Sequence, residues 1–409
     1  MREVVIVDMA RSPIGRHGGT IKDVPFWDLT VQVAKAVVDR NKDKVKPEYY
    51  DYFILGQVKQ CTICANTARN VALMIGLPEE VPAFCDTIAC GSGMLSMMEG
   101  YEFIRNGFAD VILAGGVEWM SGGEFFLVDD KNHAFGNGDV KLVDSITAGG
   151  PGAAPVERYG NIPMGITAEN LQVIHNISRE DQDKFGYRSQ MLAIKAIDNG
   201  DFEAEIVPIK YAKPDGSIGL FTTDEFPKRD VSLEKMAALK PVFKKDGTIT
   251  AGSSSGRNDG AAIALLMSRE KAEELGVKPR ARIVSCGEAG VDPSIMGRGP
   301  VPATEIAMKK ANLKLTDMDL VELNEAFAAQ SLAVFCEWKE QWGVTDEWLD
   351  QHVNLWGGAI ALGHPLGASG CIITTKLLYA LERTQGRYGL ATLCCGGGIG
   401  TAIIIERLN

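Results

Sequence analysis

One pattern of local structure is written twice in this chain, and it constrains the fold more than any other feature. At Cys90 the turn Cys-Gly-Ser-Gly-Met opens a helical pattern (Leu95, Met98, Tyr101, Ile104), Asn106-Gly107 stops it, and a strand from Asp110 to Ala114 ends in Gly115-Gly116. At Gly367 the turn Gly-Ala-Ser-Gly-Cys opens a second helical pattern (Ile372, Ile373, Leu377, Leu378, Leu381), and a strand from Gly389 to Leu393 runs into Cys-Cys-Gly-Gly-Gly. The simplest source of such a pair is a duplicated unit of turn, helix, strand and diglycine. Two glycine turns then occupy equivalent halves, with a site between them.

The remaining pattern fits an α/β fold with a largely parallel sheet. Short apolar or β-branched segments (Glu3 to Val7, Asp51 to Leu55, Asp110 to Gly115) alternate with amphipathic helical stretches such as Asp28 to Asp39. From Ser121 to Ile249 the text changes to turn clusters (Gly149-Gly150-Pro151-Gly152) and helices (Thr167 to Ile174, Arg179 to Asn199) with few strong strands, which predicts an insertion or lid on the first half. The segment TAGSSSGRNDGAAIALLMS then returns to a small-residue loop followed by an apolar helix or strand.

Bulk properties exclude several classes. At 409 residues, 45% hydrophobic and 23% charged, the chain can bury a large core in two or three domains. A net charge of −11 argues against a nucleic-acid partner, which needs a basic face. The N-terminus reads as a strand rather than a secretion signal, and no run of about 18 apolar residues offers a bilayer span, so a cytoplasmic protein with no membrane partner is expected. Nine cysteines, an odd number, point to free thiols. Cys61-Thr62-Ile63-Cys64 has half the spacing of a redox or zinc site but lacks a second Cys/His pair, so no metal is expected. Gly56, Gly91 and Gly93 form no dinucleotide fingerprint and no GxxxxGK[ST] occurs, which disfavours nicotinamide and ATP.

The chemistry-bearing residues sit in the glycine turns. Cys90 precedes a helix start, where unpaired N–H groups and the helix dipole favour a thiolate. A lone cysteine is more often a buried structural thiol, but a glycine turn leaves the sulfur accessible. His364, in Gly-His-Pro-Leu-Gly-Ala-Ser-Gly, is the one histidine of five within a glycine cluster. Asn324-Glu325-Ala326-Phe327 follows the apolar strand Leu320 to Leu323, a place where open α/β sheets put functional polar groups, although an N-cap asparagine is the commoner explanation. Cys394 and Cys395 alternate along a strand end, so at most one of them is catalytic. A nucleophilic thiol, a second thiol able to move a proton and an imidazole would together support carbon–carbon chemistry at a thioester.

The segments CGSGM, AGGVEWMS, PMGITAEN, TAGSSSGRNDGAA, VDPSIMGRGPVPA, LNEAFAAQ, GGAIALGHPLGASG and LCCGGG stand in the order found in thiolases, and the chain resembles that family over essentially its whole length. The resemblance implies two βαβαβαββ halves forming a five-layered αβαβα core. The first half would be 1–120 plus 250–270, the inserted loop domain 121–249, and the second half 271–409. It implies a coenzyme A-dependent acyltransferase, either acetyl-CoA C-acyltransferase or acetyl-CoA C-acetyltransferase, with coenzyme A and acyl-CoA as substrates and no permanently bound cofactor. A homodimer or homotetramer is expected.

By motif, Cys90 matches the acylated nucleophile and Cys394 the acid/base. His364 matches the activator of the nucleophile and, with a water held by Asn324, the binder of the enolate oxygen. The N–H groups of Cys90 and Gly396 match a second oxyanion hole. Ser255 matches a pantetheine contact, Lys228 a basic residue near the nucleotide, and Met164, Ala251, Met296 and Phe327 further substrate-binding positions.

Several residues depart from the family pattern. Pro163 stands where acetoacetyl-specific members carry histidine, as in many longer-chain degradative members. Trp119 replaces a common serine, Ser253 a common asparagine and Cys395 a usual aliphatic residue, and Ala148 to Pro155 is atypical. These departures keep open an alternative, a subunit that needs a partner protein and acts on a bulky or aryl 3-oxoacyl-CoA. Decarboxylating synthases of the same fold lack the cysteine at position 394, which counts against them.

Overall fold

A computed structural model describes residues 1–60, 63–127, 139 and 141–408, so Cys61 and Thr62 of the paired-cysteine reading lie outside the described residues. The first half runs β1 (Val4–Arg11), α1 (Phe26–Asn41), β2 (Tyr52–Gly56), α2 (Thr67–Met74), β3 (Ala83–Asp86), α3 (Ser92–Arg105) and β4 (Val111–Trp119). After α4 (Met164–Ile174) and α5 (Arg179–Asp198) it closes with β5 (Asn258–Ser268). The second half repeats the order as β6 (Ala281–Gly290), α6 (Pro300–Ala311), β7 (Leu320–Leu323), α7 (Ala328–Trp342), α8 (Leu366–Thr384), β8 (Tyr388–Cys395) and β9 (Ile399–Arg407). An isolated parallel bridge, Val321 to Val353, stands where the second half would repeat β3.

The strands lie in the order β3-β2-β4-β5-β1-β6-β9-β8-β7, with the short Gly15–Arg16 strand paired to β5. In each half the parallel members (β2 with β3 and β4, β7 with β8) are followed by antiparallel ones, so the sheet is mixed and not the largely parallel one expected, with three parallel and five antiparallel pairings among these described strands. Helical connections join the parallel strands, while the inner strands of the two halves pair antiparallel. The halves meet edge to edge through β1 and β6, where Val5 pairs with Arg282 and Ile6 with Ala281. All eight residues of β1 and all eleven of β5 are buried, which is why they read as unbroken apolar or small runs rather than alternating ones. This also decides the ambiguous segment after the serine loop in favour of a strand.

Helices α3 and α8 form the middle layer, packed on each other and on strands of both halves; α1 and α2 cover one outer face, α6 and α7 the other. A helix covered on every side must be apolar all round, and α8 is buried from Gly367 through Leu378 without a break. The layering is the five-layered αβαβα arrangement expected.

One boundary differs from the expectation. The strand expected to end at Gly115-Gly116 continues to Trp119. Its glycines are there for proximity: a Cβ on Gly116 would fall 2.0 Å from the Gly367 carbonyl oxygen, and one on Gly370 would fall 2.5 Å from the Met94 nitrogen. The duplicated turns thus touch backbone to backbone, which only glycine permits.

Candidate active site

Cys90 sits at the end of a strained turn. Ala89 adopts φ +53°, a left-handed conformation costing roughly 1–2 kcal/mol for a residue with a Cβ. Ser92 holds it: its hydroxyl donates to the Ala89 carbonyl at 2.7 Å and accepts the Ile88 N–H at 3.0 Å. Helix α3 begins at Ser92, so the sulfur stands before the helix start. Even so, the thiolate expected there is not the resting form. Burial pushes the Cys90 thiol up to about 11, outweighing the Gly396 backbone N–H aimed at it, with Glu118 adding to the rise.

His364 is 4% exposed. Its Nδ1 lies 2.6 Å from Ser369 Oγ, and that hydroxyl lies 3.0 Å from the Pro365 carbonyl. A serine has one proton; donated to Pro365, it leaves the oxygen to accept, so Nδ1 carries the ring proton and Nε2 the lone pair. Nε2 is buried and has no protein partner. Burial drives the imidazole down to about 4, so the ring is neutral near pH 7. The loop's backbone is fixed by Asn258, whose Oδ1 accepts the His364 N–H at 2.9 Å while its Nδ2 donates to the Gly15 carbonyl.

Cys90, His364, Gly396, Ser255, Met164, Met296 and Phe327 line one cavity of about 480 Å³. Cys394, 1% exposed, packs directly behind this wall against Met164, Met296, Ala326 and Phe327, and burial together with the nearby Cys90 raises its thiol strongly. The Cys395 sulfur occupies the space a Cβ on Gly91 would need, 2.5 Å from it. Asn324 is buried with both amide atoms lacking a protein partner. It is not a helix cap, since α7 starts at Ala328 with Phe327 as its N-cap. The serine loop and the Asn324 turn are tied together: Ser255 N–H donates to the Ala326 carbonyl at 3.0 Å and Ala328 N–H to the Ser253 carbonyl at 2.8 Å. Ala251 is exposed and does not line the cavity. Lys228 is also outside it, with its ammonium 4.8 Å over the Phe226 ring.

Two buried carboxylates that sequence reasoning passed over position these groups. Glu118 accepts the N–H groups of Val58 (3.3 Å), Lys59 (3.0 Å) and Gly367 (2.9 Å), joining one cavity wall to the histidine loop; burial raises it to about 7. Glu325 accepts Ser189 Oγ at 2.5 Å and Asn354 Nδ2 at 2.9 Å, linking the Asn324 turn to α5. The visible signal was an acidic residue inside an apolar strand and another beside Asn324. Among the described residues no cluster of three or more His, Cys, Asp or Glu side chains is arranged to hold a metal, and no helix is long and apolar enough to cross a membrane.

Comparison with known proteins is consistent across the chain. Family models described as "Thiolase, N-terminal domain" and "Thiolase, C-terminal domain" match residues 4–270 and 277–407. The chain is 45% identical over 410 residues to an acetyl-CoA acetyltransferase of Syntrophomonas wolfei, covering all of both sequences. Among solved structures, human mitochondrial 3-ketoacyl-CoA thiolase in complex with CoA superposes with a TM-score of 0.91 at 40% identity, covering 100% of this chain and 98% of that one. The Bacillus anthracis acetyl-CoA acetyltransferase does so with a TM-score of 0.91 at 42% identity, covering 100% and 99%.

Proposed function

The chain belongs to the thiolase family, and on that footing we propose that Cys90, His364, Cys394, Asn324 and Gly396 carry its reaction on 3-oxoacyl-CoA substrates longer than acetoacetyl-CoA. The reaction itself is the reversible, coenzyme A-dependent cleavage of a 3-oxoacyl-CoA to acetyl-CoA and a shortened acyl-CoA, through an acyl-cysteine and with ping-pong kinetics. Coenzyme A enters as a substrate.

In the cleaving direction the Cys90 proton passes to His364 Nε2 as the sulfur attacks the 3-oxo carbon. The C2–C3 bond breaks, and acetyl-CoA leaves as an enolate that takes a proton from Cys394. The thiol of a second coenzyme A gives its proton to the Cys394 thiolate and attacks the acyl-Cys90 carbonyl; the bond to Cys90 breaks, the acyl group leaves as acyl-CoA, and the departing Cys90 sulfur takes back the proton held by His364. Two neutral partners suit this sequence, because charge is created only when the thioester arrives to receive it. The Cys90 and Gly396 N–H groups stabilise the oxyanion that then develops, each such donor being worth about 3 kcal/mol. Asn324 holds the water that completes the enolate site with His364. Ser255, Met164, Met296 and Phe327 contact the thioester arm.

The observation that supports these roles best is the cavity shared by Cys90, His364 and Gly396, with Cys394 packed behind it. Pro163, which also lines that cavity, supports the longer-chain reading. We further take residues 121–249 as the loop domain, the site of action as cytoplasmic, the assembly as a homo-oligomer and the role as degradative. The test separates the two thiols: Cys90→Ser stops acyl-enzyme formation, whereas Cys394→Ala still acylates at Cys90 but fails to exchange the α-protons of acetyl-CoA. Equal loss of both partial reactions in Cys394→Ala refutes the division of labour.

A further inference from the structure

Lys59 is a half-buried cation on the wall of the Cys90 cavity with no described carboxylate in ion-pair range. Its ammonium donates to a neutral acceptor, the Ser145 carbonyl, at 2.5 Å, and lies close enough to Gly149 that a Cβ there would fall 2.1 Å from Nζ. Two carboxylates are near but engaged elsewhere. Glu118 is saturated by backbone N–H groups. Asp144 accepts Ile146 N–H at 2.9 Å and Thr147 Oγ1 at 2.5 Å and faces Arg257 at 3.9 Å. Arg257, the other described cation lining this cavity, is faced by Asp144, while Lys59 makes no ion pair among the described residues. Burial holds the Lys59 ammonium below the usual lysine range, outweighing the opposing charges of Glu118 and Asp144 nearby.

The lysine is also held in place. Its N–H is pinned by Glu118, and its carbonyl accepts from Gln57 Nε2 at 3.0 Å, so the main chain is fixed on both sides relative to the histidine loop. It stands at a junction: a second cavity of about 450 Å³ shares Val58 and Lys59 with the first. That cavity is also lined by Phe26, Thr87, Trp119, Glu124 and Phe126, and it includes no residue of the Ser255–Arg257 segment. Trp119, one of the departures from the family pattern, rests against Phe26 with ring centroids 6.3 Å apart.

Resting on the thiolase reading above, we propose that Lys59 binds a carboxylate on the acyl chain, so that the substrate is a 3-oxoacyl-CoA whose chain runs from Cys90 past Lys59 and ends in a carboxylate. An acid group supplies the direct ion pair that Lys59 lacks among the described residues, and a charge-assisted pair in a partly dry wall discriminates strongly against a methyl terminus.

The experiment compares kcat/KM for pairs of 3-oxoacyl-CoA thioesters of equal chain length, one ending in carboxylate and one in methyl, for the wild type, Lys59→Met and Lys59→Arg. The wild type should favour the carboxylate by tenfold or more. Lys59→Met, which keeps the apolar stem, should bring the ratio close to one, and Lys59→Arg should retain most of the preference. Cleavage of both thioesters with no preference, or a preference that survives in Lys59→Met, overturns the inference while leaving the thiolase reading intact. An equal loss on both thioesters in Lys59→Met assigns the lysine to coenzyme A instead and also overturns it. No cleavage of either thioester by the wild type overturns both readings.

Discussion

Ser369→Ala is the sharpest test of how His364 is prepared. The hydroxyl lies 2.6 Å from Nδ1 and spends its own proton on the Pro365 carbonyl, so it is the group that keeps the ring proton away from Nε2. Without it the Nδ1 proton has no acceptor on a ring that is 4% exposed. Leaving a buried donor unsatisfied costs about 1–3 kcal/mol. The imidazole escapes that cost by moving its proton to Nε2, where the cavity offers space, but this tautomer cannot take a proton from Cys90. The competent form is then disfavoured by the same free energy, a loss of about 5- to 150-fold.

Thiolysis of a 3-oxoacyl-CoA longer than acetoacetyl-CoA and the rate of Cys90 alkylation by iodoacetamide should fall together by a factor in that range, while the KM for coenzyme A changes little. Circular dichroism and thermal melting control for misfolding. Wild-type rates in a folded Ser369→Ala protein would refute the tautomer argument.

Other consequences are equally direct. Gly116→Ala forces a Cβ to 2.0 Å from the Gly367 carbonyl, backbone that cannot yield; destabilisation of about 3 kcal/mol in urea, with loss of thiolysis, is expected. Glu118→Gln leaves one oxygen for three N–H donors, so stability should drop by about 2 kcal/mol and kcat should fall because Gly367, in the histidine loop, loses its anchor. His364 has a folded pKa of about 4, below its value of 6.5 when unfolded, so the unfolded state binds more protons between those values and this residue's contribution to stability declines as pH falls from about 6.5 to 4. Glu118 and Glu322, both raised to about 7, act oppositely and favour the folded state toward acid. The effect of His364 should therefore be read as the difference between wild type and His364→Asn in denaturation at pH 4.5 and 7, which should narrow at the lower pH.

The duplication was legible in the sequence because each copy had to write the same turn, helix and buried strand, and burial on both faces leaves unmistakable apolar runs such as AIII in β9 and AAIALLM in β5. Cys90 and His364 stood out because close backbone approach demands glycines around them. What the text did not display were interactions made by single polar atoms across long separations. Glu118 lies 60 residues from Val58 and 249 from Gly367, distances at which no local pattern survives. The charge state of Cys90 was misjudged for a related reason: helix position is local and readable, whereas the burial that outweighs it is built by distant segments. Lys59 was not singled out at all, because Ser145 and Gly149, which close over it, lie far along the chain.

The neutrality of the resting pair has a consequence for how long the protein lasts. Oxidants and soft electrophiles attack thiolates, not thiols. A cysteine held up at about 11 beside an imidazole held down at about 4 exposes almost no thiolate between turnovers. On the roles proposed above, its nucleophilicity would arise only during turnover, so that a thiol lining a cavity open to small molecules stays protected between reactions.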